Sequence, residues 1–177
     1  MLERLTRRIN LLIGRGRATY IDDTGPVQTM QCQCSAIEMR QALRVAEFGF
    51  ASNPPLGSDA VLVFIGGDRT NAIVVGTNHQ ASRLRNLAAG ETALYDEPGK
   101  YVKLGAAGIV IEAGGRPVTV QNASSITLTA PTINLDGNVA VSGSLVATGN
   151  VTGAAISLDS HVHTGVQTGG GNTGGPV

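Results

Sequence analysis

The chain has 177 residues, 24 of them glycine, and a formal net charge of zero at pH 7. This balance gives no overall electrostatic attraction to DNA or to anionic lipid. Three tyrosines, three phenylalanines and no tryptophan make a thin core for a globular enzyme of this size, and no apolar run reaches the roughly 18 residues of a membrane-spanning helix.

A short amphipathic helix is predicted at the N-terminus, within residues 1–14. Aliphatic residues recur there at helical spacing with arginines between them, and Gly14 ends the pattern. These aliphatic residues are Leu2, Leu5, Ile9 and Leu12. The apolar stretch is too short for a signal peptide, so we expect the helix to pack on its own protein or to dock on a partner as an arm.

Residues 15–80 contain short apolar stretches separated by turn signals such as Gly66-Gly67-Asp68. The predicted strands are Arg17–Asp22, Val27–Cys34, Leu43–Phe50, Ala60–Ile65 and Ala72–Thr77. Five short strands within about 65 residues are typical of a barrel of the oligonucleotide/oligosaccharide-binding (OB) type. The stacking aromatic residues and basic patches that bind nucleic acid are missing, so we interpret the barrel as an adaptor and predict no nucleic-acid partner.

Cys32 and Cys34 lie two residues apart on a predicted strand, and therefore on one face of it. A disulfide between such near neighbours would be strained. We interpret them as small buried hydrophobic side chains rather than as a metal site.

Composition divides the rest of the chain into a connector with a hairpin at residues 81–112, a shaft at residues 113–158 and an apex at residues 159–177. The hairpin strands are expected at Tyr101–Leu104 and Ile109–Glu112, around the turn Gly105–Gly108.

The shaft carries pairs of apolar residues that tighten into a six-residue repeat. Apolar residues two apart point to one face of a strand. The predicted inward pairs are Val118/Val120, Ile126/Leu128, Ile133/Leu135, Val139/Val141, Leu145/Ala147, Val151/Gly153 and Ile156/Leu158. Their first members lie 8, 7, 6, 6, 6 and 5 residues apart, which predicts a shaft that narrows toward the C-terminus. A short period of this kind is typical of a β-solenoid or a fibre.

One chain cannot stabilise such a shaft alone, because three-residue strands with unpaired edges need neighbours. Three chains wound together supply these neighbours and remove every open edge. The predicted fold class is therefore all-β: an N-terminal five-stranded OB-type barrel, then an intertwined trimeric parallel β-helix with a metal-bound C-terminal apex.

The densest cluster of candidate metal ligands is His161-Val162-His163. On an extended segment both imidazoles face the same way, and three chains around one axis would supply six nitrogens. Structural zinc prefers four tetrahedral ligands, whereas imidazole also suits iron, nickel and copper, so a six-nitrogen shell favours iron. The ligands bind only when neutral, so acid should release the metal. Solvent-facing histidines are the alternative.

Asp159 and Ser160 stand directly before these histidines. Three copies would offer hard oxygen ligands to calcium near the axis, which makes them candidate calcium ligands. A hydrogen-bonded turn is the alternative interpretation.

Four stretches, in this order, resemble the Mu-type baseplate spike proteins, the central tail needles of contractile-tailed bacteriophages and related pyocins. They are Asn53–Ala60, Gly66–Arg69, Gly90–Asp96 and the His161–His163 cluster with its glycine-rich end. The resemblance implies an N-terminal barrel, an intertwined homotrimer and an apex that holds iron, with calcium and chloride as further candidate ions at the tip.

The function that follows is mechanical. A trimeric needle would puncture the outer membrane of the host when the tail sheath contracts, with its barrels seated on a baseplate hub protein. We expect no catalysis. The protein would be made in the host cytoplasm, lie at the baseplate tip of the virion and enter the host envelope during infection.

Two other functions are alternatives. Six-residue repeats also build the left-handed β-helix of acyltransferases, but three regular units make only about one coil, too few for a self-supporting helix. A tail fibre or adhesin would favour a broad terminal domain with aromatic residues for sugar stacking, which this sequence lacks.

Overall fold

The computed structural model describes residues 2–158 and residue 169. Within this part of the chain lie one α-helix and ten strands. The helix is α1 (Leu2–Asn10), and the strands are β1 (Ile13–Asp22), β2 (Thr29–Ser35), β3 (Glu38–Arg44), β4 (Asp59–Phe64), β5 (Ala72–Asn78), β6 (Thr92–Tyr95), β7 (Tyr101–Gly105), β8 (Gly108–Glu112), β9 (Thr152–Gly153) and β10 (Ile156–Ser157). The chain divides into two compact units after Gln121.

Strands β1 to β5 close into a barrel in the order β1-β2-β3-β5-β4. β1 pairs with both β2 and β4, and every pairing is antiparallel except that of β3 with β5. The predicted all-β fold class with an N-terminal closed five-stranded barrel is confirmed, with the short helix α1 before the barrel, and the barrel is consistent with the OB type.

The barrel core is small because alternate residues of each strand point inward. Its largest fully buried side chains are Phe64, Met30, Leu62, Val74 and Cys32. Gly14 is required where β1 passes the Phe64 ring, since a Cβ there would lie 2.8 Å from a ring carbon. One phenylalanine and several smaller apolar side chains therefore fill the core.

The two cysteines are free thiols of this core. Cys32 is fully buried, and Cys34 is half-buried and packs against the core. Burial raises the pKa of Cys32 to about 11 and also raises the pKa of Cys34. The interpretation of small buried side chains is confirmed for Cys32.

One strand prediction is wrong. Leu43–Phe50 was expected to form the third strand, but that strand is β3 (Glu38–Arg44), and residues 45–58 form a loop to β4. Phe48 is fully exposed on this loop. β3 contains four polar or charged residues among its seven, and Glu38 and Arg40 pair with each other, so its apolar signal is weaker than that of the loop.

Strands β6, β7 and β8 form a separate antiparallel sheet in which β7 is central. The hairpin between β7 and β8 closes at the pair Gly105 and Gly108, and Gly108 has a φ of 134°. Such a backbone conformation favours glycine. This sheet belongs to the same compact unit as the barrel.

The second unit is described up to Leu158 and contains one short hairpin, β9–β10. Ile156 pairs with Gly153, and the Leu158 amide donates to the Val151 carbonyl at 2.8 Å. No strand forms between Ala113 and Val151. The intertwined β-helix therefore stays a prediction. In the described residues, no helix has the length and apolar character needed to cross a membrane.

Candidate functional site

The predicted metal ligands lie outside the described residues. This holds for His161 and His163 and for the candidate calcium ligands Asp159 and Ser160. In residues 2–158, no three histidine, cysteine or acidic side chains lie close enough to hold a metal ion. The metal site therefore stays a prediction from the donor set: two imidazoles and one carboxylate within five consecutive residues of each chain.

The third histidine of the chain lies elsewhere. His79 follows β5 at its C-terminal end, and its Nδ1 lies 2.7 Å from the Ser82 hydroxyl. The side chain is half-buried.

The shaft residues leave their apolar side chains in solvent when one chain is considered. The twelve valine, leucine and isoleucine residues of the predicted inward pairs are between 42% and 77% exposed. A single folded chain normally buries such residues, and contiguous apolar surface usually marks a contact with another molecule.

The shaft backbone is equally incomplete. Residues 117–149 make no backbone–backbone hydrogen bond to another described residue. Strand partners satisfy such groups in native structures, and extended segments obtain them from a sheet or from neighbouring chains. One chain thus supplies neither a core for the shaft nor backbone hydrogen bonds for residues 117–149.

Two motifs that carry the resemblance contain turns at the two ends of β4. They are Asn53–Ala60, which leads into β4, and Gly66–Arg69, which follows it. In the first, the buried Ser58 hydroxyl donates to the Pro55 carbonyl at 2.6 Å, and the Gly57 amide donates to the Ala18 carbonyl at 2.8 Å. In the second, Gly66 and Gly67 have φ angles of 65° and 74°. These positions explain why short turn residues are needed there.

The second motif also places a charged cap over the barrel core. Asp68 accepts hydrogen bonds from the amide and hydroxyl of Thr70. The Arg69 guanidinium then lies 3.9 Å from the centroid of the Phe64 ring, and its Nε donates to Glu38 at 2.9 Å. Arg40 donates to the same carboxylate at 2.9 Å. This cluster stabilises one end of the core.

The third motif positions the sheet β6–β8. Gly90 has a φ of 86°, and the Glu91 carboxylate accepts the Ala88 amide at 3.0 Å while facing Lys103 at 3.7 Å. Asp96 accepts the Lys100 amide at 2.8 Å and pairs with the Lys100 ammonium.

Known proteins match both ends of the chain. Residues 15–81 match the N-terminal model of the bacteriophage Mu Gp45 family, and residues 155–177 match the GpV Apex motif. The baseplate puncturing device gp45 of Escherichia phage Mu is 28% identical over 186 residues, which cover 98% of this chain and 93% of the relative. The Mu-like prophage FluMu protein gp45 of Haemophilus influenzae is 27% identical, over 90% of each chain.

The chain is similar to the Mu-type baseplate spike proteins at both ends. The first family match contains four of the five barrel strands completely and most of β1. The Apex match contains all four candidate ion ligands, Asp159, Ser160, His161 and His163. The resemblance found in the sequence is confirmed, and none of these matches is to an acyltransferase or an adhesin.

Proposed function

We propose that this protein is the central spike of a contractile phage tail or phage-like particle, a trimeric needle that pierces the host outer membrane during sheath contraction. One observation carries the proposal: a Gp45-type barrel precedes an Apex motif in a chain that aligns almost end to end with a baseplate puncturing device. The role is structural, with no reaction catalysed and no nucleic acid bound.

The exposed shaft supports three copies. Twelve large aliphatic residues in periodic pairs, and a backbone without strand partners at residues 117–149, are what remains when one chain of an intertwined fibre is isolated. Winding three chains together would bury the pairs around one axis and pair the backbone of each chain with its neighbours.

The apex donors fit a shared metal ion. His161 and His163 of three chains would supply six imidazole nitrogens, a set that suits iron. When bound, the ion would link the three C-termini. Asp159 and Ser160 would add oxygen ligands for calcium, with chloride as a further tip ion.

The two ends of the spike would have different partners. The barrel end would seat on a baseplate hub protein, and the apex would enter the host envelope. The protein would be made in the host cytoplasm and then reside at the tip of the virion baseplate.

Metal analysis of the purified protein tests this function. We expect a particle of three 18.1 kDa chains that contains about one iron ion. Combined His161→Ala and His163→Ala substitutions should remove the iron. His79→Ala is the matched control, because His79 lies outside the apex and should leave the metal content unchanged. A monomeric wild-type protein, or equal iron in the double variant and the control, would contradict the proposal.

A further inference from the structure

The sheet β6–β8 has one face made almost wholly of aliphatic side chains. Residues paired across a ladder lie on the same face, as do residues two apart along a strand. The register pairs Leu94 with Val102 and Val102 with Ile111, and the next row on that face pairs Thr92 with Leu104 and Leu104 with Ile109. We call the five aliphatic residues of these two rows the collar face: Leu94, Val102, Leu104, Ile109 and Ile111.

The collar face is exposed in the single chain. Leu94, Leu104, Ile109 and Ile111 are 58%, 49%, 72% and 64% exposed, and the central Val102 is half-buried between its neighbours. Monomeric proteins seldom leave contiguous apolar patches of more than roughly a few hundred Å² in water, and larger ones mark contact sites.

The opposite face of the same sheet differs in character. Its rows contain Ala93, Lys103 and Val110, and then Tyr95, Tyr101 and Glu112. Lys103 faces Glu91 at 3.7 Å. The sheet is thus amphipathic, and its polar face is the one suited to solvent.

The chain that leaves β8 stays close to the sheet. Pro117 and Val118 line an open, mostly apolar groove together with Leu94, Val102 and Ile111. Val118 is also the first inward residue of the predicted shaft. Val118 lies seven positions after Ile111, and a fully extended segment of seven residues spans only about 25 Å. Three chains that meet at Val118 therefore bring their three sheets near one axis.

We infer that the collar face of each chain is buried against the collar faces of the two other copies, so that the trimer interface begins at the sheet β6–β8 and not at the shaft. This inference rests on the proposed trimeric spike. The collar face has no charged side chain, so another apolar surface is its favoured partner. The collar faces of the second and third copies are such surfaces, and the segment after β8 is short enough to bring them into contact.

The sheet differs from the shaft because its strands are already paired within one chain. A preformed surface loses less conformational freedom on association than a segment that must be ordered at the same time. The collar face therefore sets the register of the three chains before the shaft strands find their partners.

Two substitutions on neighbouring residues of β8 test the inference in the full chain. Ile109→Glu places a carboxylate on the collar face, and we expect it to raise the protein concentration needed for trimer formation at least tenfold in analytical ultracentrifugation. Val110→Glu is the matched control on the opposite face, where the new carboxylate would face Lys103, and should leave assembly unchanged.

A cysteine pair keeps the test valid if Ile109→Glu disturbs the sheet itself. Ile109→Cys should form dimers and trimers with a short bismaleimide, whereas Val110→Cys should give few. Both variants retain the buried Cys32 and the half-buried Cys34, so any cross-linking through the native thiols would appear equally in both. Intact amide signals from the barrel strands would show that each variant is folded.

The outcomes separate this inference from the proposed function. A monomeric wild-type protein would overturn both. A wild-type trimer in which the two glutamate variants assemble equally, or in which both cysteine variants cross-link equally, would overturn the collar contact alone. Another baseplate protein, or a segment of the same chain, would then cover this face.

Discussion

At the scale of single residues, Arg69 links the barrel surface to its core. It lies over the Phe64 ring and donates to Glu38, which also accepts from Arg40. Cation–π contacts and charge-assisted hydrogen bonds at partly exposed sites contribute about 1 kcal/mol each. Phe64 is the largest fully buried side chain of the described residues, so the cap stabilises the barrel where it contacts the core.

The cap makes barrel stability depend on pH. The hydrogen bond from Arg69 holds the pKa of Glu38 below its ordinary value, with further lowering from Arg40. A carboxyl with a depressed folded pKa stabilises the fold above its unfolded pKa and loses that contribution as the pH falls through the folded pKa. We expect barrel stability to decrease below about pH 4.5 in wild type, and Glu38→Gln to reduce this dependence.

Urea unfolding at several pH values, followed through amide NMR signals of β4 and β5, measures this effect. Glu47→Gln is a suitable control, because Glu47 is an exposed carboxylate on the loop after β3. At pH 7, Glu38→Gln should cost about 1 kcal/mol and the control nearly nothing. Parallel pH curves for wild type and Glu38→Gln would show that the cap does not stabilise the barrel.

At the scale of elements, the repeat pattern of the shaft assigns some residues an inward position and others an outward position, although both kinds are exposed in one chain. Leu145 and Val146 are 77% and 84% exposed. The six-residue repeat assigns Leu145 to the inward pair with Ala147 and leaves Val146 outside. Only the assembled trimer would make these two neighbours different.

Leu145→Asn should therefore destabilise the trimer far more than Val146→Asn. Burial of an amide in place of a leucine costs about 2–3 kcal/mol per chain, and the proposed trimer contains three copies of the substitution. An asparagine at the outward position 146 remains hydrated and has no such cost. The melting temperature of the trimer and its resistance to SDS on gels report the difference. Equal melting temperatures would mean that the inward assignment of the shaft is wrong.

The elements also show what the sequence can predict. β4 and β5 were predicted because each contains a continuous apolar run next to turn residues, and the structure places Leu62 and Val74 of these runs in the core. β3 was misplaced because exposed residues such as Phe48 carry more apolar character than the paired charges of the real strand. The predicted shaft depends on contacts between copies, which a single chain does not contain.

The collar face was missed for a different reason. Its five residues come from three strands, and none of those strands is strongly amphipathic by itself. Only the register of β6, β7 and β8 brings Leu94, Val102 and Ile111 into one row. The apex histidines needed no register, because their spacing of two on an extended segment already suggested a shared site, although they lie outside the described residues.

At the scale of the whole molecule, three kinds of contact would hold the proposed trimer together: the collar face, the braided shaft and the apex ion. They differ in what can remove them. Apolar contacts are weakened by denaturants, whereas a metal site is removed by chelation. Chelation therefore separates the contribution of the apex from that of the other two.

We expect a strong iron chelator to lower the melting temperature of the wild-type trimer without dissociating it under native conditions. A ligand that binds only the folded state stabilises it by about 2.7 kcal/mol at a hundred times its Kd, and this contribution is lost when the ion is removed. The His161→Ala and His163→Ala double variant should melt at the chelated wild-type temperature and should not respond to chelator. Hydrogen exchange should rise in the segment 151–158, which precedes the apex, and stay unchanged in β6–β8. If chelation alone converted the trimer to monomers under native conditions, the ion would be the main contact between the chains. The braided shaft and the collar face would then contribute little to the stability of the trimer. If the melting temperature of wild type did not change, no ion would link the three C-termini.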